Sequence, residues 1–305
     1  MSDEELRSGF VTVVGRPNVG KSTLVNRIVG TKVTITSPRP NTTRRSVRGV
    51  LHRPGSQAVF VDTPGLHRPR TALGRRLSEH IGDALADVDV VVPVLDATVA
   101  IGPGDRLVLA RAAEAGRAAT ATGAGDGDLS RLLLVVNKVD RAPRAEVLAA
   151  LAEAHDLLEG AEEAGAEYFP VSAVTGEGVD ALVAGVLGRL PPGPPFFPTD
   201  MTSDVAEAFW VAELVREQLL AHVRQELPHA IACRVTEWEW PRIKVEILVE
   251  RESQKAIVIG RGGAVLKAAG AAVRAQLAPG AYLELVVRVE KRWQQRPDAI
   301  ERLGY

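Results

Sequence analysis

The sequence is short of sulfur, of long apolar runs and, over one region, of any acid. Cys233 is the only cysteine, which excludes an intramolecular disulfide and a cysteine-based zinc cluster. It lies in the apolar run Ala230–Val235, where a small buried strand residue is expected rather than a reactive thiol. The most apolar stretch, Val88 to Leu95, is far too short to cross a bilayer. Met1-Ser-Asp-Glu-Glu carries no signal-peptide pattern, so a cytoplasmic location is expected, with peripheral contact at the inner face of the cell membrane left open. No internal repeat is found. The most informative absence is local: between Arg7 and Val61 there are ten Lys and Arg residues and no Asp or Glu, although the whole chain has a net charge of −1. A stretch without acids suits a polyanionic ligand. At 305 residues, 46% hydrophobic and 25% charged, the chain has room for two domains with cores.

Inside the acid-free stretch, Gly15-Arg-Pro-Asn-Val-Gly20-Lys21-Ser22 forms a G-x-x-x-x-G-K-S loop. The apolar run Phe10–Val14 precedes it and a helix-like run from Thr23 follows. That strand–loop–helix context turns a short pattern into a phosphate site. Gly15 and Gly20 let the backbone curl so that N–H groups, including those of Val19 and Gly20, point at phosphate oxygens. The helix N-terminus adds partial positive charge. Lys21 should reach the β- and γ-phosphates, and the Ser22 hydroxyl should ligate Mg²⁺.

The rest of residues 8–190 alternates short β-branched runs (Val11–Val14, Ala58–Val61, Val88–Leu95, Leu132–Val136, Tyr168–Val171) with helix-like stretches such as Leu73–Ala86, Asp105–Ala115 and Arg144–Glu159. This pattern predicts an α/β domain with a doubly wound, mostly parallel sheet, its ligand at the carboxyl ends of the strands. The small-residue tract 120–129 reads as a surface loop. Four elements then fall in the order a GTP site needs. Thr43, in Asn41-Thr-Thr-Arg44, can place its hydroxyl on Mg²⁺ and its N–H on the γ-phosphate. Asp62, in Asp62-Thr-Pro-Gly65, suits the metal, and Gly65 lets a backbone N–H approach the γ-phosphate. Asn137-Lys-Val-Asp140 is the most discriminating element. The Asp140 carboxylate can accept from guanine N1–H and N2–H₂, donors that adenine lacks. Lys138 can pack over the base, and Val171-Ser172-Ala173 can offer the Ala173 N–H to O6.

Residues 10–190 therefore resemble a translation-factor-class GTPase domain. The resemblance implies GTP/GDP and Mg²⁺ as ligands, with Lys21, Thr43, Asp62 and Gly65 serving hydrolysis and Thr23 joining the nucleotide contacts. Leu66 stands where Ras-like enzymes place a water-orienting glutamine, and an apolar side chain cannot do that work. Asn18 either holds a K⁺ ion beside the phosphates, as in some relatives, or simply caps the loop.

Leu190-Pro-Pro-Gly-Pro-Pro-Phe-Phe-Pro198 cannot continue a helix or a central strand, so residues 191–203 are expected to be a linker. Beyond it, residues 204–305 read as helix (Val205–Glu226), strands (Ile231–Glu239, Ile243–Glu250), a helix, Gly260-Arg-Gly-Gly263, a helix (Ala264–Leu277) and a last strand (Tyr282–Glu290). This is the order of an α+β, type II KH domain. Its G-x-x-G turn clamps single-stranded RNA, here with Lys255, Ile259, Gly260, Arg261, Gly262, Gly263 and Lys267 as the expected contacts. No acid lies between Glu252 and Glu284, whereas Lys255, Arg261, Lys267 and Arg274 do, which fits phosphate contact. A P-loop GTPase domain followed by a KH domain resembles the Era family, bacterial GTPases of small-subunit ribosome assembly. Val249–Gly263, Thr36–Arg44 and the Leu-Gly-Tyr305 terminus look Era-like. The resemblance implies a monomer that hydrolyses GTP, binds the 3′ region of small-subunit (16S) ribosomal RNA and acts on the 30S precursor. A membrane-surface GTPase and a tRNA-modification-type GTPase are the alternatives. Relatives of the latter kind usually bring a reactive cysteine, and Cys233 sits mid-strand.

Overall fold

The computed structural model describes residues 6–40, 42–65, 72–73, 76, 84–85, 88–120, 129–158, 165–223 and 227–305. Asn41, Leu66, most of the helix expected at Leu73–Ala86 and nearly all of tract 120–129 lie outside the described residues. The chain forms two compact units. The first comprises residues 1–34, 43–68 and 77–204, and the second 35–42, 69–76 and 205–305.

The first unit contains β1 (Arg7–Gly15), α1 (Lys21–Val29), β2 (Val47–Arg53), β3 (Ser56–Asp62), β4 (Val90–Asp96), α2 (Pro103–Thr120), β5 (Leu133–Asn137), α3 (Arg144–Leu157), β6 (Glu167–Val171) and α4 (Val179–Arg189). The sheet order is β2-β3-β1-β4-β5-β6. Only β2 is antiparallel to its neighbour. Both faces are covered. Val11, Val13, Phe60, Val92, Val94, Leu133 and Val135 point to the side of α1 and α4, while Val14, Val91, Leu95, Leu134 and Val136 point to that of α2 and α3. This period-2 split of nearly continuous apolar strands is what burial on both faces requires.

Strand β2 escapes a sequence reading because Arg48, Gly49, His52 and Arg53 interrupt its apolar pattern. It is an edge strand in which Gly49 is a packing necessity. A Cβ there would lie about 3 Å from side chains of Val29, Val33 and Val25.

The expected linker is not free. Ser8 N–H donates to Pro191 O (3.1 Å) and Val50 N–H to Thr202 O (2.8 Å). Buried Gln57 receives the N–H groups of Phe196 and Phe197 on Oε1 (2.7 and 3.0 Å) and donates to Phe197 O (2.7 Å). Gly49 bridges Ser203, and Arg48 pairs with Asp204 at 2.7 Å. Residues 191–204 are thus fastened along β1, β2 and β3. Proline supplies no N–H, but its carbonyls still accept, and these hydrogen bonds have no signature in composition.

The second unit contains α5 (Glu207–His222), the short α6 (Leu227–Ala230), β7 (Ala232–Glu239), β8 (Arg242–Val249), α7 (Glu252–Ile259), α8 (Ala264–Arg274), β9 (Tyr282–Val289) and α9 (Pro297–Arg302). Strand β8 pairs antiparallel with β7 and parallel with β9. The parallel pairing needs the crossover that α7, the glycine turn and α8 supply. Ile243, Val245, Ile247 and Val249 face the core with Val211, Leu214, Val215 and Leu219 of α5. Between them, Lys244 and Glu246 lie on the other face of the strand, paired with Glu237 and with Arg234 and Arg288. Cys233 is buried in β7, as expected. Ile35, from the segment 35–42, belongs to this core.

Candidate functional site

Register places the motif residues side by side. Asp62 ends β3 opposite Val13 of β1, Asp96 ends β4 opposite Asn137 of β5, and Asn137 lies opposite Val171 of β6. All sit at the carboxyl ends of parallel strands, where a doubly wound sheet binds its ligand.

The G-x-x-x-x-G-K-S loop is set by its own bonds. Gly20 has φ +100° and a Cβ would lie 2.3 Å from Asn137 Nδ2, so only glycine fits. Lys21 is buried, and its Nζ donates to Gly15 O and Arg16 O, both at 3.0 Å, which holds the ammonium across the loop. Burial pushes Lys21 down to about 8, with the Asp62 carboxylate pulling the other way. Arg16 is anchored to Asp105 at 2.7 Å. Gly65 lies against Pro17, whose ring would meet a Cβ at 2.7 Å.

Asp62 is the hub. Its Oδ2 accepts from Ser22 Oγ (2.7 Å), Thr34 Oγ1 (3.0 Å) and Thr43 Oγ1 (3.2 Å), and Ser22 Oγ lies 3.0 Å from Thr43 Oγ1. Its Oδ1 is buried with no partner among the described residues. Burial raises its pKa, opposed by Lys21 and the three hydroxyls. A buried carboxylate with a spare oxygen and converging hydroxyls is an all-oxygen donor set suited to Mg²⁺. Ser22, Thr43 and Asp62 are therefore together, as the sequence predicts. Thr34 is an addition that sequence did not flag. Asn26 holds it by accepting Val33 N–H (2.9 Å) and Thr34 N–H (3.0 Å) and donating to Thr34 O (2.8 Å).

The base platform is equally cross-braced. Asn137 Nδ2 donates to Val19 O (2.8 Å), and Oδ1 accepts Ala173 N–H (3.0 Å). The expected donor to guanine O6 is thus already engaged with Asn137, so O6 must share it or take another donor of the loop. Asp140 Oδ1 accepts Ser172 Oγ at 2.6 Å, which orients the carboxylate. Lys138, at φ 69°, donates to Asn18 O (2.7 Å) and pairs with Asp96. Arg27 of α1 donates to Ala173 O (3.1 Å) and to Val174 O. Asp96 and Arg27 belong to no motif, and only their contacts reveal them. Asn18 is exposed at φ 68° at the head of the loop.

In the second unit, Gly260, Gly262 and Gly263 all have positive φ. A Cβ on Gly260 would meet Val265 at 2.6 Å, whereas Gly262 and Gly263 face open space. Arg261, Lys267 and Arg274 are exposed and Lys255 and Ile259 half-buried. No carboxylate pairs with these four cations among the described residues. The span Glu252–Arg274 is long and apolar enough to cross a bilayer by composition. It breaks at the glycines into helices of 8 and 11 residues, each too short to span one.

A family model described as a 50S ribosome-binding GTPase matches residues 10–138, and a KH-domain model matches 226–294. The chain is 44% identical to the GTPase Era of Mycobacterium avium strain 104 and to that of Mycobacterium tuberculosis strain H37Rv, each over 99% of both chains. Among solved structures it is similar to Era in complex with MgGDPNP and nucleotides 1506–1542 of 16S ribosomal RNA. That match has a TM-score of 0.87 and 35% identity over 98% of this chain and 99% of the other. An Aquifex aeolicus Era variant bound to GDP·AlF4⁻ is similar at the same TM-score, identity and coverage.

Proposed function

The chain belongs to the Era family of GTPases, and on that premise we propose a GTP-driven switch that binds the single-stranded 3′ region of 16S ribosomal RNA and assists 30S assembly. One observation carries this reading. Hydroxyls of Ser22, Thr34 and Thr43 converge on Asp62, and the residues between Thr34 and Thr43 fold into the unit that bears the G-x-x-G ridge. Nucleotide state at Asp62 and RNA binding then share one stretch of chain.

Lys21 supplies a fixed charge to the β- and γ-phosphates, and the loop N–H groups cradle them. Ser22, Thr43 and Asp62 would hold Mg²⁺, which when bound neutralises charge on the triphosphate. Asp140, oriented by Ser172, accepts from the guanine edge, and Asn137 ties that platform to the phosphate loop. With GTP bound, Thr43 and Gly65 are held by contacts to the γ-phosphate. When it leaves they lose that anchor, an order–disorder switch. The exposed Arg261, Lys267 and Arg274 meet RNA phosphates, and Gly262 and Gly263 allow close backbone approach. The test is RNA affinity for a 16S 3′-end oligonucleotide, measured with GDP and with a non-hydrolysable GTP analogue. Tighter binding with the analogue is expected, and identical affinities would defeat the switch.

The same site supports K⁺ as a further ligand. Asn18 is exposed at the head of the phosphate loop, with its backbone oxygen fixed by Lys138. An ion there would add positive charge beside the phosphates, a stabilisation that needs no water-orienting glutamine in the place of Leu66. Equal GTP turnover in Na⁺ and K⁺ buffers would exclude it. Ile257, 54% exposed beside the cationic turn, favours a secondary, peripheral contact with anionic lipid. Competition between anionic vesicles and the RNA oligonucleotide tests that contact.

A further inference from the structure

The chain leaves the first unit after Thr34, contributes residues 35–42 to the second, and returns at Thr43. Besides Ile35, three hydrogen bonds among the described residues hold this excursion within the second unit. Thr36 N–H donates to Glu217 Oε1 at 2.9 Å, Arg39 Nη2 to Val223 O at 2.9 Å, and Arg216 Nη2 donates to Thr42 O. All three partners lie on α5 or at the residue that follows it.

The third hold differs in kind. The Arg216 side chain is fully buried, and Glu213, one turn earlier on α5, grips it through Nε (2.7 Å) and Nη2 (2.5 Å). Its Nη1 has no partner among the described residues. A buried guanidinium cannot give up a partner without a large desolvation cost. Its bond to the Thr42 carbonyl is charge-assisted and sheltered from competing water. That carbonyl is part of the planar peptide that also carries the Thr43 N–H. Gripping the oxygen on one side of the plane fixes the direction of the N–H on the other. It also fixes the start of the residue whose hydroxyl lies on Ser22 and Asp62.

We propose that Arg216, braced by Glu213, is a positioning residue for GTP hydrolysis: it sets the Thr42–Thr43 peptide plane and so aims the Thr43 amide and hydroxyl at the triphosphate and its metal. The proposal rests on the role given to Thr43 above. It places a determinant of turnover on the first helix of the RNA-binding unit, outside every nucleotide motif. A purely architectural ion pair would instead change the stability of the second unit and leave turnover at saturating GTP and Mg²⁺ alone.

The test uses the full chain. GTP binding by the parent is read first, because a parent that binds no GTP would defeat the proposed function rather than this inference. The Glu213→Leu/Arg216→Met double variant replaces the pair by apolar side chains of similar size, a change that buried pairs often tolerate. Its kcat is expected to fall about tenfold, as for a lost charge-assisted bond. GTP affinity should stay within about twofold, since phosphate-loop and base contacts are untouched, while half-saturation by Mg²⁺ should move higher because the Thr43 hydroxyl is no longer aimed. A folded double variant with parental kcat overturns the proposal. Should circular dichroism show that it does not fold, Arg216→Lys decides. An ammonium cannot reproduce the planar fork that serves Glu213 and Thr42 together, so kcat should drop about threefold at unchanged GTP affinity. Parental turnover in a folded Arg216→Lys chain overturns the proposal equally.

Discussion

Lys138 Nζ lies 2.7 Å from the backbone oxygen of Asn18, so an ammonium joins the Asn137 amide in tying the base-binding motif to the phosphate loop. Asp96, at the end of β4, holds the same ammonium from the other side, and this bond keeps the Asp96 carboxyl below its usual pKa despite partial burial. Asp96 is therefore a brace for nucleotide binding although it touches no motif residue in sequence.

Replacing Asp96 by Asn should weaken GTP and GDP alike, by about fivefold, the scale of a partly exposed ion pair. Titration with fluorescent nucleotides checks this. A loss confined to GTP would point to the γ-phosphate instead of the brace.

Gly20→Ala should abolish useful nucleotide binding. The added Cβ meets Asn137 Nδ2 and the residue must hold φ +100°, a strain of about 1–3 kcal/mol before any contact is lost. Calorimetry with GTP measures it, and near-parental affinity would mean that the loop adopts another conformation to bind.

Asp140→Asn should cost guanine preference. An amide cannot accept both N1–H and N2–H₂, and the GTP affinity should fall by about 100-fold or more. Competition by GTP against xanthosine triphosphate reads the change, since xanthine carries an acceptor where guanine has the amino group. Ser172→Ala, which frees Asp140 Oδ1 from its 2.6 Å donor, should show a milder loss of about fivefold.

Arg261→Glu on the glycine turn should weaken a 16S 3′-end oligonucleotide by at least about tenfold and flatten the salt dependence of binding by about one unit of slope. Filter binding across a salt series separates the two effects. An unchanged slope would place the phosphate contact elsewhere.

Trp293 is fully buried, donates from Nε1 to Ala230 O at 2.9 Å, and its ring lies 6.3 Å from that of Tyr305. Trp293→Ala should destabilise the second unit by about 3–5 kcal/mol and Trp293→Phe by less. Urea denaturation followed by circular dichroism measures both.

Much of this was legible in the sequence, for a physical reason. Gly15, Lys21, Ser22, Asp62, Asn137 and Asp140 are bound to strand ends whose apolar runs announce themselves, so motif and scaffold could be read together. Strand β2 was hidden because Gly49 and its charged neighbours imitate a loop, and only the closeness of Val25 and Val29 explains the glycine. Thr34, Asn26, Arg27, Asp96 and Arg216 reach Asp62, Val33 and Thr34, Ala173, Lys138 and Thr42, 7 to 174 positions away, and spacing along the chain carries no record of such contacts. Ala173 could be named as a candidate from the sequence, but the engagement of its amide by Asn137 could not be seen without coordinates.

The fastening of residues 191–204 also fixes where the molecule can be divided. A fragment ended at Leu190, where the prolines invite a cut, would strip Gln57 of both its backbone partners and leave the β2 edge open to pairing with another copy. Extending the fragment through Asp204 keeps that edge closed, and a nucleotide-binding half prepared for separate study should be soluble only in the longer form.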